Sequence, residues 1–166
     1  MNKKIIGIYP GNFDPITFGH MDIIKRSLRI VDELIIGVAD NINKISLFTI
    51  IERKKMIEND LKLNFKNTKK TYIKQIKGLL TNFSHKNKVN CIIRGLRAVS
   101  DFEYEFKMTG MNYQLNPNIE TIFLMSSEKN SFISSNFVKE VYQLGGDVSK
   151  FVSKNTIKNL QNKYIT

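Results

Sequence analysis

Five short apolar runs recur along the chain, at residues 5–8, 33–38, 71–76, 89–93 and 120–125, and each is followed by a segment with helical spacing. Runs of this length, rich in Ile, Val and Phe, read as buried strands. The segment behind the first run carries Met21, Ile24, Leu28 and Val31, spaced as one face of a helix. Strand and helix in alternation imply right-handed crossovers and a parallel sheet. The expected architecture is a single α/β domain over residues 1–166, with a five-stranded parallel sheet and helices on both faces. No repeat, low-complexity tract or dividing linker interrupts it.

Local signals set the helix ends. Thr49-x-x-Glu52 is a capping box opening a helix through about residue 61, and Ser100-x-x-Glu103 is a second. Asn116-Pro117-Asn118 and Gly145-Gly146 are stops, and a last helix carries Ile157, Leu160 and Tyr164. Tyr104, Met108, Met111 and Leu115 form an apolar stripe that serves either core or subunit packing.

In a parallel sheet, ligands meet the carboxyl ends of the strands. Asn12 and His20 follow the first strand, Lys44 the second, Leu80 the third, Arg94 and Arg97 the fourth, and residues 131–136 the fifth. The first loop is glycine-punctuated but is neither G-x-G-x-x-G nor a P-loop. It ends in Thr17-x-Gly19-His20, where a helix begins. Backbone N–H groups and a positive helix end gather there, which favours phosphate and a neutral imidazole. The residues alone equally allow Thr17 as a plain N-cap and His20 as an ordinary first-turn residue. The rim offers donors and cations but no activated nucleophile. Cys91 lies in an apolar run, His85 in a polar stretch, and no His/Cys/carboxylate set has metal-ligand spacing. Such a site suits attack at phosphorus by a group already ionised, such as a phosphate monoester with a second pKa of about 6.

The net charge of +11 raises the alternative of a basic nucleic-acid-binding domain. Lysines outnumber arginines 21 to 5 and are scattered, which points away from nucleic acid. No apolar run reaches membrane-span length and no signal pattern opens the chain, so a cytoplasmic protein without a membrane partner is expected. The lone cysteine fits a reducing compartment.

Gly11-x-Phe13-Asp14-Pro15 with Thr17-x-Gly19-His20 resembles the first motif of the T/H-x-G-H nucleotidyltransferases. Arg94-Gly95-Leu96-Arg97-Ala98-Val99 with Asp101-Phe102-Glu103-Tyr104-Glu105, and the later Phe132-Ile133-Ser134-Ser135-Asn136-Phe137-Val138-Lys139-Glu140, narrow this. Together they resemble the bacterial phosphopantetheine adenylyltransferase family. The resemblance implies a Rossmann-like fold and transfer of the adenylyl group of ATP to 4′-phosphopantetheine, giving dephospho-CoA and pyrophosphate. It implies catalytic roles for His20, Lys44 and Arg97, and acceptor binding by Asn12, Lys44, Leu80 and Arg94. It assigns ATP to Asn12, Phe13, His20, Gly95, Leu96, Arg97 and Glu105, and to Asn130, Ser131, Phe132, Ile133, Ser134, Ser135 and Asn136. Mg2+ would arrive with ATP rather than on a protein cage, coenzyme A would be a feedback ligand, and the assembly would be a homohexamer. Without the resemblance, Lys44 reads as a solvated loop lysine, Glu105 as a solvated helix position, Ser134 as an N-cap and Lys139 as an exposed helix lysine. Two positions depart from the family pattern: Asn12 stands for Thr or Ser, and Asn136 for the last hydroxyl of the third motif. An enzyme of the same superfamily with another phosphorylated acceptor is the nearest alternative.

Overall fold

The computed structural model describes residues 4–40, 45–65, 70–97 and 99–164, with backbone only at 99–101. The strands are β1 (Ile6–Gly11), β2 (Glu33–Ala39), β3 (Thr71–Ile76), β4 (Cys91–Leu96) and β5 (Glu120–Met125). The helices are α1 (Phe18–Ser27), α2 (Ile50–Asn64), α3 (Leu80–Lys86), α4 (Val99–Leu115), α5 (Ser135–Gln143) and α6 (Lys154–Tyr164), with one 3₁₀ turn at Glu128–Asn130. All strand pairs are parallel, in the order β3-β2-β1-β4-β5. The chain therefore builds outward from β1 to β3, then returns past β1 and builds outward again through β4 and β5. Loops leaving β1 and β4 run to opposite sides, which opens a crevice between them.

Strand periodicity divides the apolar residues between two cores. Tyr9, Leu34, Ile36, Cys91 and Ile93 face one way, onto α1, α2, α5 and α6. Their neighbours Ile8, Ile35 and Ile92 face the other, onto a smaller cluster closed by Leu80 and Phe83 of α3. Both faces are thus covered, as a parallel sheet requires. Ile24 of α1 is fully buried in the larger core, a burial that stabilises by about 1.5–3 kcal/mol.

The caps follow from named side chains. Thr17 and Thr49 head α1 and α2 in complete capping boxes with His20 and Glu52. The α5 helix ends as Gly145 takes a φ of 80°, and the N–H groups of Gly145 and Gly146 return to the carbonyls of Tyr142 and Val141.

Several expected bounds change, the first strand running to Gly11 rather than ending at residue 8. The fourth strand runs to Leu96 rather than ending at residue 93, because Arg94, Gly95 and Leu96 stay in register with Phe123, Leu124 and Met125. The α4 helix opens at Val99, so Ser100 lies inside its first turn instead of ahead of it. Of the two roles open to the α4 stripe, core is excluded: Tyr104, Met108, Met111 and Leu115 are exposed, as are Phe102, Phe106 and Tyr113.

Candidate functional site

The crevice has a local cause. β1 and β4 pair only at Gly7 with Cys91 and Ile8 with Ile92. Two residues on, Pro10 turns its backbone toward β4 but has no N–H to extend the ladder. The strands part there, and the Arg94 guanidinium spans the gap, donating from Nη1 to the Pro10 carbonyl at 2.9 Å. Above the parting lies a cavity of about 440 Å³, within the ordinary range for small-molecule sites. Gly95 leaves β4 bare where α1 crosses: a Cβ there would stand 3.0 Å from Cγ1 of Ile23.

The first loop is held from below. Phe13, with φ of 50°, is buried and meets Tyr9 and His20 edge-on. Asp14 is buried too, accepting the backbone N–H groups of Leu47 and Phe48 at 2.9 Å each and pairing with Lys139 Nζ at 2.8 Å. Lys139 is therefore a largely buried tie from α5 to the first loop, not an exposed helix lysine. Ser135 adds a second tie, its hydroxyl donating to the Pro15 carbonyl at 2.7 Å.

His20 occupies the third position of α1, and its Nδ1 accepts the Thr17 backbone N–H at 3.0 Å. A backbone N–H can only donate, so Nδ1 is the unprotonated nitrogen and Nε2 carries the hydrogen. Burial, joined by the Arg97 charge, lowers the imidazole pKa to about 4. At neutral pH the ring is an uncharged donor whose direction is set by the cap. Thr17 Oγ1 lies 3.1 Å from the same nitrogen, but it is buried and spent on the cap, so the pair is no nucleophile and base.

The far wall comes from β4, α4 and the loop before α5. Glu105 is no solvated position: Arg94 forks onto it with Nε and Nη2, the Nε–Oε2 distance being 2.7 Å. Arg97 reaches the Ile133 carbonyl at 3.5 Å. Ser134 is the N-cap of α5, accepting from Phe137 N at 3.1 Å, and Asn136 sits in the first turn.

Of the expected residues, Asn12, Phe13, His20, Arg94, Gly95, Arg97, Glu105, Ile133, Ser134, Ser135 and Asn136 line this cavity. Ser131 and Phe132 line an adjoining, more apolar groove of about 690 Å³, which shares Arg97 and residues 133, 134 and 136. Asn130 closes the 3₁₀ turn, donating to Ser127 Oγ, and its carbonyl faces Gly19. Leu96 is buried. Leu80 packs on the smaller core and does not line the cavity, whose described lining comes from β1, β4, α1, α4, the start of α5 and the loops after β1, β4 and β5. Lys44 lies outside the described residues.

Sequence reasoning missed Tyr9 and Tyr104, which also line the cavity, the anchoring role of Asp14, and Arg53 beneath Asn12. A signal for Arg53 existed. It shares the buried face of α2 with Met56, Ile57, Asp60 and Leu61. A charge at a core-periodic position needs a buried partner.

Guanidinium, neutral imidazole and two helix N-termini directed at one crevice suit phosphate groups. With the parallel sheet beneath, they define a Rossmann-like nucleotide-handling enzyme. Comparison with known proteins gives the class its name. Residues 8–141 match the cytidylyltransferase-like family. The chain is 51% identical over 162 residues to the phosphopantetheine adenylyltransferase of Pelagibacter ubique (strain HTCC1062), covering 97% of this chain and 99% of that one. It is 56% identical over 157 residues to the enzyme of the same name from Wolbachia pipientis subsp. Culex pipiens (strain wPip), covering 95% and 92%. The chain belongs to the cytidylyltransferase-like family and, within it, to the phosphopantetheine adenylyltransferases.

Solved structures agree on the fold. A bifunctional NMN adenylyltransferase/ADP ribose pyrophosphatase from Francisella tularensis superposes with a TM-score of 0.76 at 17% identity, over 99% of this chain and 51% of that one. This chain thus spans about half of that bifunctional protein. The Plasmodium falciparum nicotinic acid mononucleotide adenylyltransferase complexed with NaAD gives 0.69 at 19% identity, covering 98% and 96%.

Proposed function

We propose that this chain transfers the adenylyl group of ATP to 4′-phosphopantetheine, forming dephospho-CoA and releasing pyrophosphate. The observation that carries the choice of acceptor is the near-full-length identity to relatives of that name. The geometry supports the manner of transfer. Among the described residues the cavity holds fixed donors and no activated nucleophile, which suits direct in-line attack by the acceptor phosphate on the α-phosphate. His20 Nε2–H stabilises charge gathering on the α-phosphate oxygens, and Arg97 adds a cation on the nucleotide side. Lys44 bridges the reacting phosphates. Asn12 and Arg94 align the acceptor, and Leu80, outside the cavity at the start of α3, meets its pantetheine arm where that arm extends beyond it. Gly95, Leu96 and Glu105 border the nucleotide, and residues 130–136 cover adenine and phosphates.

The two carboxylates lining the cavity are already committed, Asp14 to Lys139 and two N–H groups, Glu105 to Arg94. That fits Mg2+ carried on the phosphates of ATP with its own waters, where it neutralises their charge. The exposed apolar face of α4 supports self-association, for which we propose a homohexamer, in the cytoplasm and with coenzyme A as a feedback ligand.

The test is pyrophosphate release with ATP, Mg2+ and 4′-phosphopantetheine, beside nicotinamide mononucleotide and glycerol 3-phosphate, the last also with CTP. Turnover with phosphopantetheine alone, lost in His20→Ala, is expected. Turnover with another acceptor alone would overturn the substrate, and silence with all of them the activity.

A further inference from the structure

Arg53 is 2% exposed, and its Nη1 serves three oxygens at once. These are the Asn12 carbonyl at 2.8 Å, Asn12 Oδ1 at 2.7 Å and the Ala39 carbonyl at 2.9 Å. Its Nη2 stands 3.9 Å from the Asp40 carboxylate, which is itself largely exposed. Its Nε is buried with no hydrogen-bond partner among the described residues. A guanidinium this dry and this loosely paired is costly, and hydrophobic packing would hold α2 in place without it.

What the arginine supplies is direction. A guanidinium has donors and no acceptor, so the Asn12 atom facing it must be the oxygen. The carboxamide nitrogen is then turned away from Arg53; it donates one N–H to Ser46 Oγ at 3.4 Å and keeps the second, on a residue that lines the cavity. Released from Arg53, the carboxamide could rotate half a turn and offer its oxygen to an incoming anion. One orientation attracts a phosphate and the other repels it. A hydroxyl at this position would need no pin, because its O–H turns to suit its partner.

We propose that Arg53 is a positioning residue for the acceptor phosphate: it pins the Asn12 carboxamide so that the cavity meets N–H donors there. Asn12 and Arg53 act as one unit, which extends the reaction proposed above and rests on it. The charge of Arg53 also polarises the carboxamide, strengthening the hydrogen bond its N–H gives.

The experiment is a double-mutant cycle of Arg53→Met and Asn12→Thr, read as kcat and KM for 4′-phosphopantetheine and for ATP. Alone, Arg53→Met is expected to lower kcat/KM for the acceptor about tenfold or more, with KM for ATP moving less than about threefold. In the Asn12→Thr background the same change is expected to cost less than about threefold. Equal losses in both backgrounds would reduce Arg53 to a structural tie and overturn the proposal. Arg53→Lys, which keeps a buried cation but one donor centre in place of the fork, serves if Arg53→Met does not fold; a smaller loss with the same background dependence is expected.

A second readout does not need turnover. The side-chain 15N–1H2 signal of Asn12, identified by its loss in Asn12→Thr, should shift as inorganic phosphate is added. The response should weaken about threefold or more in Arg53→Lys, short of the loss expected of Arg53→Met. If the wild type turns nothing over yet this signal behaves so, the proposed reaction fails and the positioning stands. If the wild type turns over and the signal ignores Arg53, the positioning fails and the reaction stands.

Discussion

Lys139→Met tests whether the first loop is tied down by a buried charge pair. The substitution keeps an unbranched stem of nearly the same length, with sulfur for one methylene, and removes the ammonium group. Lys139 is 17% and Asp14 1% exposed, and Nζ–Oδ2 is 2.8 Å. Breaking such a pair strands a carboxylate among apolar atoms, at about 3–5 kcal/mol. The low end applies, because Asp14 keeps the N–H groups of Leu47 and Phe48 at 2.9 Å each. About 3 kcal/mol in a chain this size lowers Tm by roughly 6–12 °C. Calorimetry and urea unfolding at pH 7 measure it, and amide exchange at Leu47 and Phe48 reports the loosened loop. Adding Asp14→Asn should recover part of the loss, since the amide still accepts one of those N–H groups and leaves no stranded charge. A fall of less than about 2 °C, as an exposed ion pair gives, would refute the reasoning.

Two further outcomes concern protons. The His20 ring should titrate near pH 4 by NMR, its folded pKa lying below the ordinary 6.5. Unfolded imidazole binds its proton first, so His20 weakens folding as pH falls from about 6.5 to 4, by about 3 kcal/mol in all; a His20 titration at 6–7 would sink this. Asp60, buried against Ser153 with Oδ1–Oγ at 2.6 Å, has its pKa raised by burial, against the pull of Ser153 and Asn155. A raised carboxylate favours the fold below the unfolded pKa and loses that as pH rises through the folded value. Urea unfolding of Asp60→Asn, which retains an acceptor for Ser153, should show the variant gaining on the wild type from pH 4 to 7; the opposite trend would contradict the sign.

The sheet was legible because its signal is local. Ile8, Ile35 and Ile92 alternate with Tyr9, Ile36 and Ile93, and the faces they imply are the faces observed. The first loop was legible for a similar reason, since Thr17 and His20 lie one helical turn apart and cap each other. The ties were not. Asp14 and Lys139 are 125 residues apart, Ser135 and Pro15 are 120, and Arg53 and Asn12 are 41. A salt bridge across that separation leaves no periodicity; it shows in one sequence only as a charge at a core position, as with Arg53. The strand end at Arg94-Gly95 was misread because a basic residue beside glycine resembles a loop, whereas the ladder with β5 carries both inside the sheet. The α4 stripe was ambiguous in kind: an apolar face at helical spacing is the same pattern whether it meets its own sheet or another surface.

These ties bear on how the site works. The described residues lining the cavity include no activated nucleophile, so what they offer is orientation and fixed charge, and both are lost if the donors wander. The polar groups at the first loop are accordingly held, one by its own helix cap and two by partners from other elements. Thr17 sets His20 from within α1, Arg53 holds Asn12 from α2, and Lys139 holds Asp14 from α5. Arg94 joins Glu105 of α4 to the Pro10 carbonyl of β1 across the parted strands. The same arrangement explains how Asn can stand at position 12. Its amide has two faces of opposite polarity, and a buried guanidinium selects between them. The charged residues least consistent with a simple apolar core are thus the ones that let a loop rim present donors in fixed directions.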